Sequence, residues 1–128
     1  MKLTGSEQIE ASGDYTMNNT TGASSAGALE EMTGRIAERL HPQKIILFGS
    51  RARGDQQGDS DFDLLIIAPS DEPRWRRTVP LYRLLAGVGV PKDIVWWTPD
   101  EVAEWRAVKS HFINVALRQG VVLYEAAA

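Results

Sequence analysis

The apolar positions of this chain change period along its length, and the changes mark its elements. Leu29, Met32, Ile36 and Leu40 recur at helical spacing, which predicts a helix from Ala28 to Leu40 closed by Pro42. The run "KIILF", Lys44–Phe48, is continuous, short and ended by Gly49, as a buried strand would be. Arg51–Gly54 reads as a helical turn, with Gly54-Asp55 and Gly58-Asp59 punctuating the loop behind it. Phe62–Ile67 is the next strand. Ser70 is a candidate cap for a following helix, with Pro73 in its first turn and Leu81, Leu84 and Leu85 turned inward. Pro80 should kink or split that helix, because its ring clashes with the preceding turn.

Ala86–Pro91 is a loop by its glycines, and Asp93–Trp97 is a third strand. The last helix has the clearest start: Thr98 as N-cap, Pro99 as first helical residue and Glu101 as capping-box partner. Val102, Trp105, Val108, Phe112 and Val115 or Ala116 then predict one long apolar stripe, with Gly120 where a left-handed cap belongs. Val121–Tyr124 adds a short edge strand. Helices and strands alternate throughout, so the expected fold is α/β or α+β: a small mixed sheet flanked by helices.

Composition narrows the class. Residues 1–25 are rich in Ser, Thr, Gly and Asn and read as a disordered or appended leader, leaving 26–128 as one domain. Over 128 residues, 43% hydrophobic and 24% charged content is ordinary for a globular chain. A net charge of −3 disfavours direct nucleic-acid binding through bulk electrostatics. The absence of cysteine excludes disulfides, thiolate metal sites and cysteine nucleophiles. No apolar run approaches the ~18–20 residues of a membrane span, and the N-terminus lacks a hydrophobic signal core. A cytoplasmic enzyme or binding module is the default expectation.

The chemistry concentrates where a strand begins. Asp61 and Asp63, two residues apart, share one strand face roughly 6–7 Å from each other, while Phe62 points to the core. Two carboxylates so placed repel unless a cation joins them, and hard oxygen ligands suit Mg²⁺ or Mn²⁺. The link from Phe48 to Phe62 is short for a parallel crossover, so strands one and two should be antiparallel, which brings Gly49-Ser50 to face the two aspartates. The longer, helix-containing link to strand three suits a parallel crossover, which would place Asp93 beside them. Gly49 allows close backbone approach, Ser50 adds a hydroxyl, and the amides of the following turn can donate to phosphate oxygens. There is no Walker A or GxGxxG loop. A phosphate cradle opposite a carboxylate cluster describes metal-assisted phosphoryl or nucleotidyl transfer.

Gly49-Ser50, then ten residues, then Asp61-Phe62-Asp63 resembles the signature of the nucleotidyltransferase superfamily with the DNA polymerase β-type palm. "FGSRARG" and "SDFDLLI" are similar to its minimal (MNT) members, standalone catalytic domains often encoded beside a HEPN protein as toxin–antitoxin pairs. The likeness runs from about Leu29 to Glu125 and includes Asp93 in "KDIVWW". It implies that Asp61, Asp63 and Asp93 hold Mg²⁺ (or Mn²⁺), that Asp93 also helps deprotonate the acceptor, and that Gly49 and Ser50 bind the β- and γ-phosphates of ATP. Arg51 and Arg53 are further nucleotide-binding candidates, with solvated surface as the plainer alternative.

The same resemblance implies an antitoxin that transfers AMP to a hydroxyl, a tyrosine's, of a cognate HEPN ribonuclease. The palm uses nearly the whole domain and leaves no second domain to enclose an acceptor, which also favours a protein acceptor. A non-catalytic antitoxin acting by occlusion, and a small-molecule transferase of the aminoglycoside type, are the alternatives. Trp75, Trp96, Trp97 and Trp105 read as core or interface residues, and His41 and His111 lack metal-ligand spacing.

Overall fold

The computed structural model describes residues 25–54 and 61–127. The expected leader over residues 1–25 therefore lies outside the described residues, apart from Ser25, and so does the loop over 55–60. Among the described residues, six helices and four strands follow one another as α1 (Ser25–Leu40), β1 (Lys44–Phe48), α2 (Ser50–Arg53), β2 (Phe62–Ile67), α3 (Arg74–Arg77), α4 (Val79–Leu84), β3 (Lys92–Trp97), α5 (Pro99–Trp105), α6 (Phe112–Gln119) and β4 (Val121–Glu125). The strands form one mixed sheet in the order β3-β2-β1-β4. β1 is antiparallel to both β2 and β4, whereas β2 and β3 are parallel, as the connection lengths require.

Strand periodicity assigns the two faces. Ile45, Leu47, Leu64, Ile66, Ile94 and Trp96 pack with Met32 and Ile36 of α1 and with Leu81 and Leu85 at α4. The alternate residues Ile46, Leu65, Ile67 and Trp97 pack with Val102 of α5 and with Ile113 and Ala116 of α6. β1, β2 and β3 thus spend both faces on apolar contacts, which is why β1 and β2 read as continuous rather than alternating apolar runs.

Four expectations need correction. Helix α1 begins at Ser25, three residues before the expected start at Ala28. Ser70 accepts a hydrogen bond from the Glu72 amide at 3.0 Å, but α3 is preceded by Pro73 with no side-chain cap. The expected long terminal helix is two: α5 starts on the Thr98–Glu101 capping box, ends at Trp105, and α6 restarts where His111 Nδ1 accepts from the Ile113 amide at 3.0 Å. The break turns Ile113 and Ala116 into the core while Trp105 and Val108 stay exposed, so one stripe did not serve one buried face. Gly120 has extended backbone (φ −78°, ψ 170°) and is not a left-handed cap. Its lack of a side chain answers to space: a Cβ there would meet Ile46 Cγ2 at 2.5 Å and the Leu47 carbonyl at 2.9 Å.

Among the described residues, one polar side chain is buried. Arg77 donates to the Glu101 carboxylate at 2.7 and 3.0 Å and to the carbonyls of Glu72 at 2.8 Å and Trp96 at 3.1 Å. It ties α3 to the start of α5. Arginine suits the place, since its planar fork satisfies two carboxylate oxygens and two carbonyls together. Pro80 sits in the first turn of α4, after Thr78, and the helix it was expected to interrupt is indeed divided there.

Candidate functional site

The pairing register decides what meets at the catalytic candidate. Phe48 at the end of β1 lies opposite Asp63, and Asp63 lies beside Asp93 in the parallel ladder. Asp63 has the same parity as Leu65 and Ile67, and Asp93 the same parity as Trp97, so both carboxylates stand on the α5–α6 face of the sheet. Neighbouring strands lie about 4.8 Å apart, which makes the two aspartates lateral neighbours. Asp61 precedes β2 and is exposed; Phe62 between the two is buried on the other face.

The electrostatics record the crowding. Burial first, then the charges of Asp93 and Asp61, push the Asp63 carboxyl above its ordinary value, and the Arg53 guanidinium opposes them. Such a group is held at a cost in its charged form, and a cation would relieve it.

Gly49 stands against this carboxylate. Its backbone is left-handed (φ 79°, ψ −158°), and a Cβ added to it would run into Asp63 Oδ2 and lie 3.1 Å from Asp63 Cγ. The Gly49–Ser50 bend therefore brings backbone to a carboxylate at a distance no other residue allows. Gly49 also accepts from the amides of Ala52 and Arg53 at 3.1 and 3.2 Å, which starts α2, and no side chain caps the turn. Gly54, in left-handed conformation, ends it.

The two arginines part ways. Arg51 lies over the Phe62 ring, 4.2 Å from its centroid, toward the face opposite the carboxylates. Arg53 is on the carboxylate side, where with Gly49, Phe48, Phe112, Ala116 and Gln119 it lines a cavity of about 110 Å³.

An all-carboxylate donor set fits a hard divalent cation, and the missing side chain at Gly49 lets the Asp63 carboxylate lie directly against the bend. Asp61, Asp63 and Asp93 would hold the ion. Among the described residues, however, no group of three or more potential ligands is drawn together tightly enough to hold a metal. Their backbones are adjacent; their side chains have not closed on one point. Also among the described residues, no helix is long and apolar enough to cross a membrane.

Two neighbours were not legible beforehand. The Ile94 amide, one residue past Asp93, donates to the Tyr82 hydroxyl at 2.8 Å. Phe112 of α6 meets Phe48 at 5.7 Å between ring centroids. Neither has a motif; both depend on how a helix crosses the sheet.

The family model described as a nucleotidyltransferase domain matches residues 29–121. Among solved structures, a candidate nucleotidyltransferase from Sulfolobus solfataricus is similar, with a TM-score of 0.55 and 22% identity over 77% of this chain and 78% of that one. At that identity the likeness shows the fold, a mixed α/β sheet with flanking helices. No curated protein matches the chain at a significant level.

Proposed function

The chain belongs to the nucleotidyltransferase domain family, and on that premise we propose that it moves AMP from ATP to a hydroxyl, a tyrosine's, on a cognate HEPN ribonuclease, which it thereby neutralises. The observation that carries the reading is the juxtaposition of Asp63 with Asp93 on one face and of Gly49 with Asp63.

The residues divide the work. Ser50 and the amides of the Gly49–Ser50 turn bind the β- and γ-phosphates, and Arg53 adds positive charge on the same side. Asp61, Asp63 and Asp93 would hold a divalent cation, which would supply charge neutralisation to the reacting phosphates. Asp93 takes the proton of the acceptor hydroxyl as its oxygen forms a bond to the α-phosphorus; the bond to the bridging oxygen breaks, and pyrophosphate leaves. The acceptor arrives on the partner, whose tyrosine hydroxyl reaches the Asp93 edge of the sheet.

Incubation with labelled ATP, Mg²⁺ and the neighbouring HEPN protein tests the reading. Label on the partner is expected, and a partner left unlabelled by a chain that binds ATP would reject it. Occlusion without catalysis is the second reading, favoured by the three carboxylates not being drawn into one ligand group. An Asp61→Asn/Asp63→Asn double variant separates the two: neutralisation survives it only if binding alone suffices.

A further inference from the structure

Among the exposed apolar side chains of the described residues, three lie together on α3 and α4. Trp75 is 77% exposed, Val79 47% and Tyr82 40%, high values for residues of this size. They are spaced i, i+4, i+7 across the junction of α3 and α4, where Thr78 has right-handed backbone and its carbonyl accepts from the Tyr82 amide at 3.0 Å. That spacing sets all three on one stripe.

The stripe is flanked by positive charge. Residues 74–83, "RWRRTVPLYR", contain no acid, in a chain whose net charge is −3. Arg77 turns inward to Glu101, and Arg74 pairs with the same carboxylate at 3.6 Å and lies over the Trp97 ring, whereas Arg76 and Arg83 are exposed beside the stripe. Arg76 makes a loose pair with Glu72 at 3.6 Å. The stripe also has a direction. It ends at Tyr82, whose hydroxyl takes the Ile94 amide on the outer edge of β3, one residue from Asp93.

We infer that the Trp75–Val79–Tyr82 stripe is the docking face for an acidic amphipathic helix of the protein that carries the acceptor hydroxyl. This rests on the function proposed above and supplies the part it lacks, a way of holding the acceptor at the Asp93 edge. Three apolar side chains at matching spacing would cover the stripe, with carboxylates meeting Arg76 and Arg83. Trp75 is the anchor by size and exposure. The charge argument selects an acidic partner over a neutral one and makes the association salt-dependent.

The test uses the full chain and the partner ribonuclease of the proposed reaction. Trp75→Ser and Arg83→Glu are compared with the parent by calorimetric titration of the partner, by AMP transfer over a range of partner concentration, and by ATP titration alone. The expected result is a partner Kd and KM raised at least tenfold for Trp75→Ser and severalfold for Arg83→Glu. Transfer at saturating partner and ATP affinity stay within twofold. A parent chain that labels its partner while both variants bind it equally well overturns the docking face and leaves the proposed function standing. A parent chain that neither binds nor labels the partner overturns both. Sedimentation showing self-association that Trp75→Ser abolishes would assign the stripe to a second copy, and overturn the inference as well.

Discussion

Gly49 and Asp63 share a space that admits one side chain and no more. The carboxylate occupies the place a Cβ on residue 49 would take, with Asp63 Cγ only 3.1 Å from it. The bend and the acid are thus one unit, positioned by the pairing of Phe48 with Asp63. Any residue but glycine at 49 must displace the acid, the backbone or both.

Gly49→Ala tests that unit. Its left-handed, extended backbone is open to glycine alone, so alanine should cost about 1–3 kcal/mol of stability. Displacement of Asp63 should lower nucleotidyl transfer by about 100-fold, since misplacement of a reacting group by an ångström has effects of that order. Thermal melts and single-turnover transfer, measured together, distinguish a misplaced carboxylate from a failure to fold.

Asp63 should be a stability liability in the metal-free protein. Its raised pKa means the fold disfavours the charged form. The contribution is favourable below the unfolded value near 3.8 and is lost as pH rises through the folded value. Asp63→Asn should therefore melt higher than the parent at neutral pH and lose transfer altogether. Added Mg²⁺ should stabilise the parent and not the variant. A variant that melts no higher at pH 7 would contradict this account of the site.

Glu101 carries the opposite sign. Its hydrogen bond from Arg77 holds the carboxyl down at about 2 against an ordinary 4.5. The stability so gained is full above the unfolded value and is lost as pH falls from there toward the folded one. Glu101→Gln should flatten the acid limb of the stability curve measured by denaturant melts. Arg77→Ala should be worse, at about 2–4 kcal/mol, because it strands a half-buried carboxylate and two carbonyls.

Gly120→Ala should destabilise by about 1–3 kcal/mol through overpacking. The cause is contact with Ile46 and the Leu47 carbonyl, not backbone conformation, so Gly120→Asn, which relieves a left-handed cap, should do no better.

Tyr82→Phe should cost no more than about 1 kcal/mol, since the Ile94 amide lies on an edge strand where water can replace the hydroxyl. It keeps the ring of the exposed stripe. A fall in transfer at saturating partner, with partner KM unchanged, would identify the hydroxyl as a positioning group for the β3 edge beside Asp93.

Local chemistry along the chain determined most of the elements and their partners. Apolar runs set β1 and β2, Thr98-Pro99 and Glu101 set the start of α5, and the connection lengths set which pairs are parallel. The parity of Asp61, Phe62 and Asp63 separated acid from core, because strand period is a local property. What needed the tertiary structure was everything that depends on one element crossing another. Whether Gly120 is a cap or a close packing contact, which arginine faces the carboxylates, and that Tyr82 reaches Ile94 are questions of distance between segments. The break between α5 and α6 belongs there too: a stripe of apolar residues states that something is buried, and only the sheet beneath it decides which of them are.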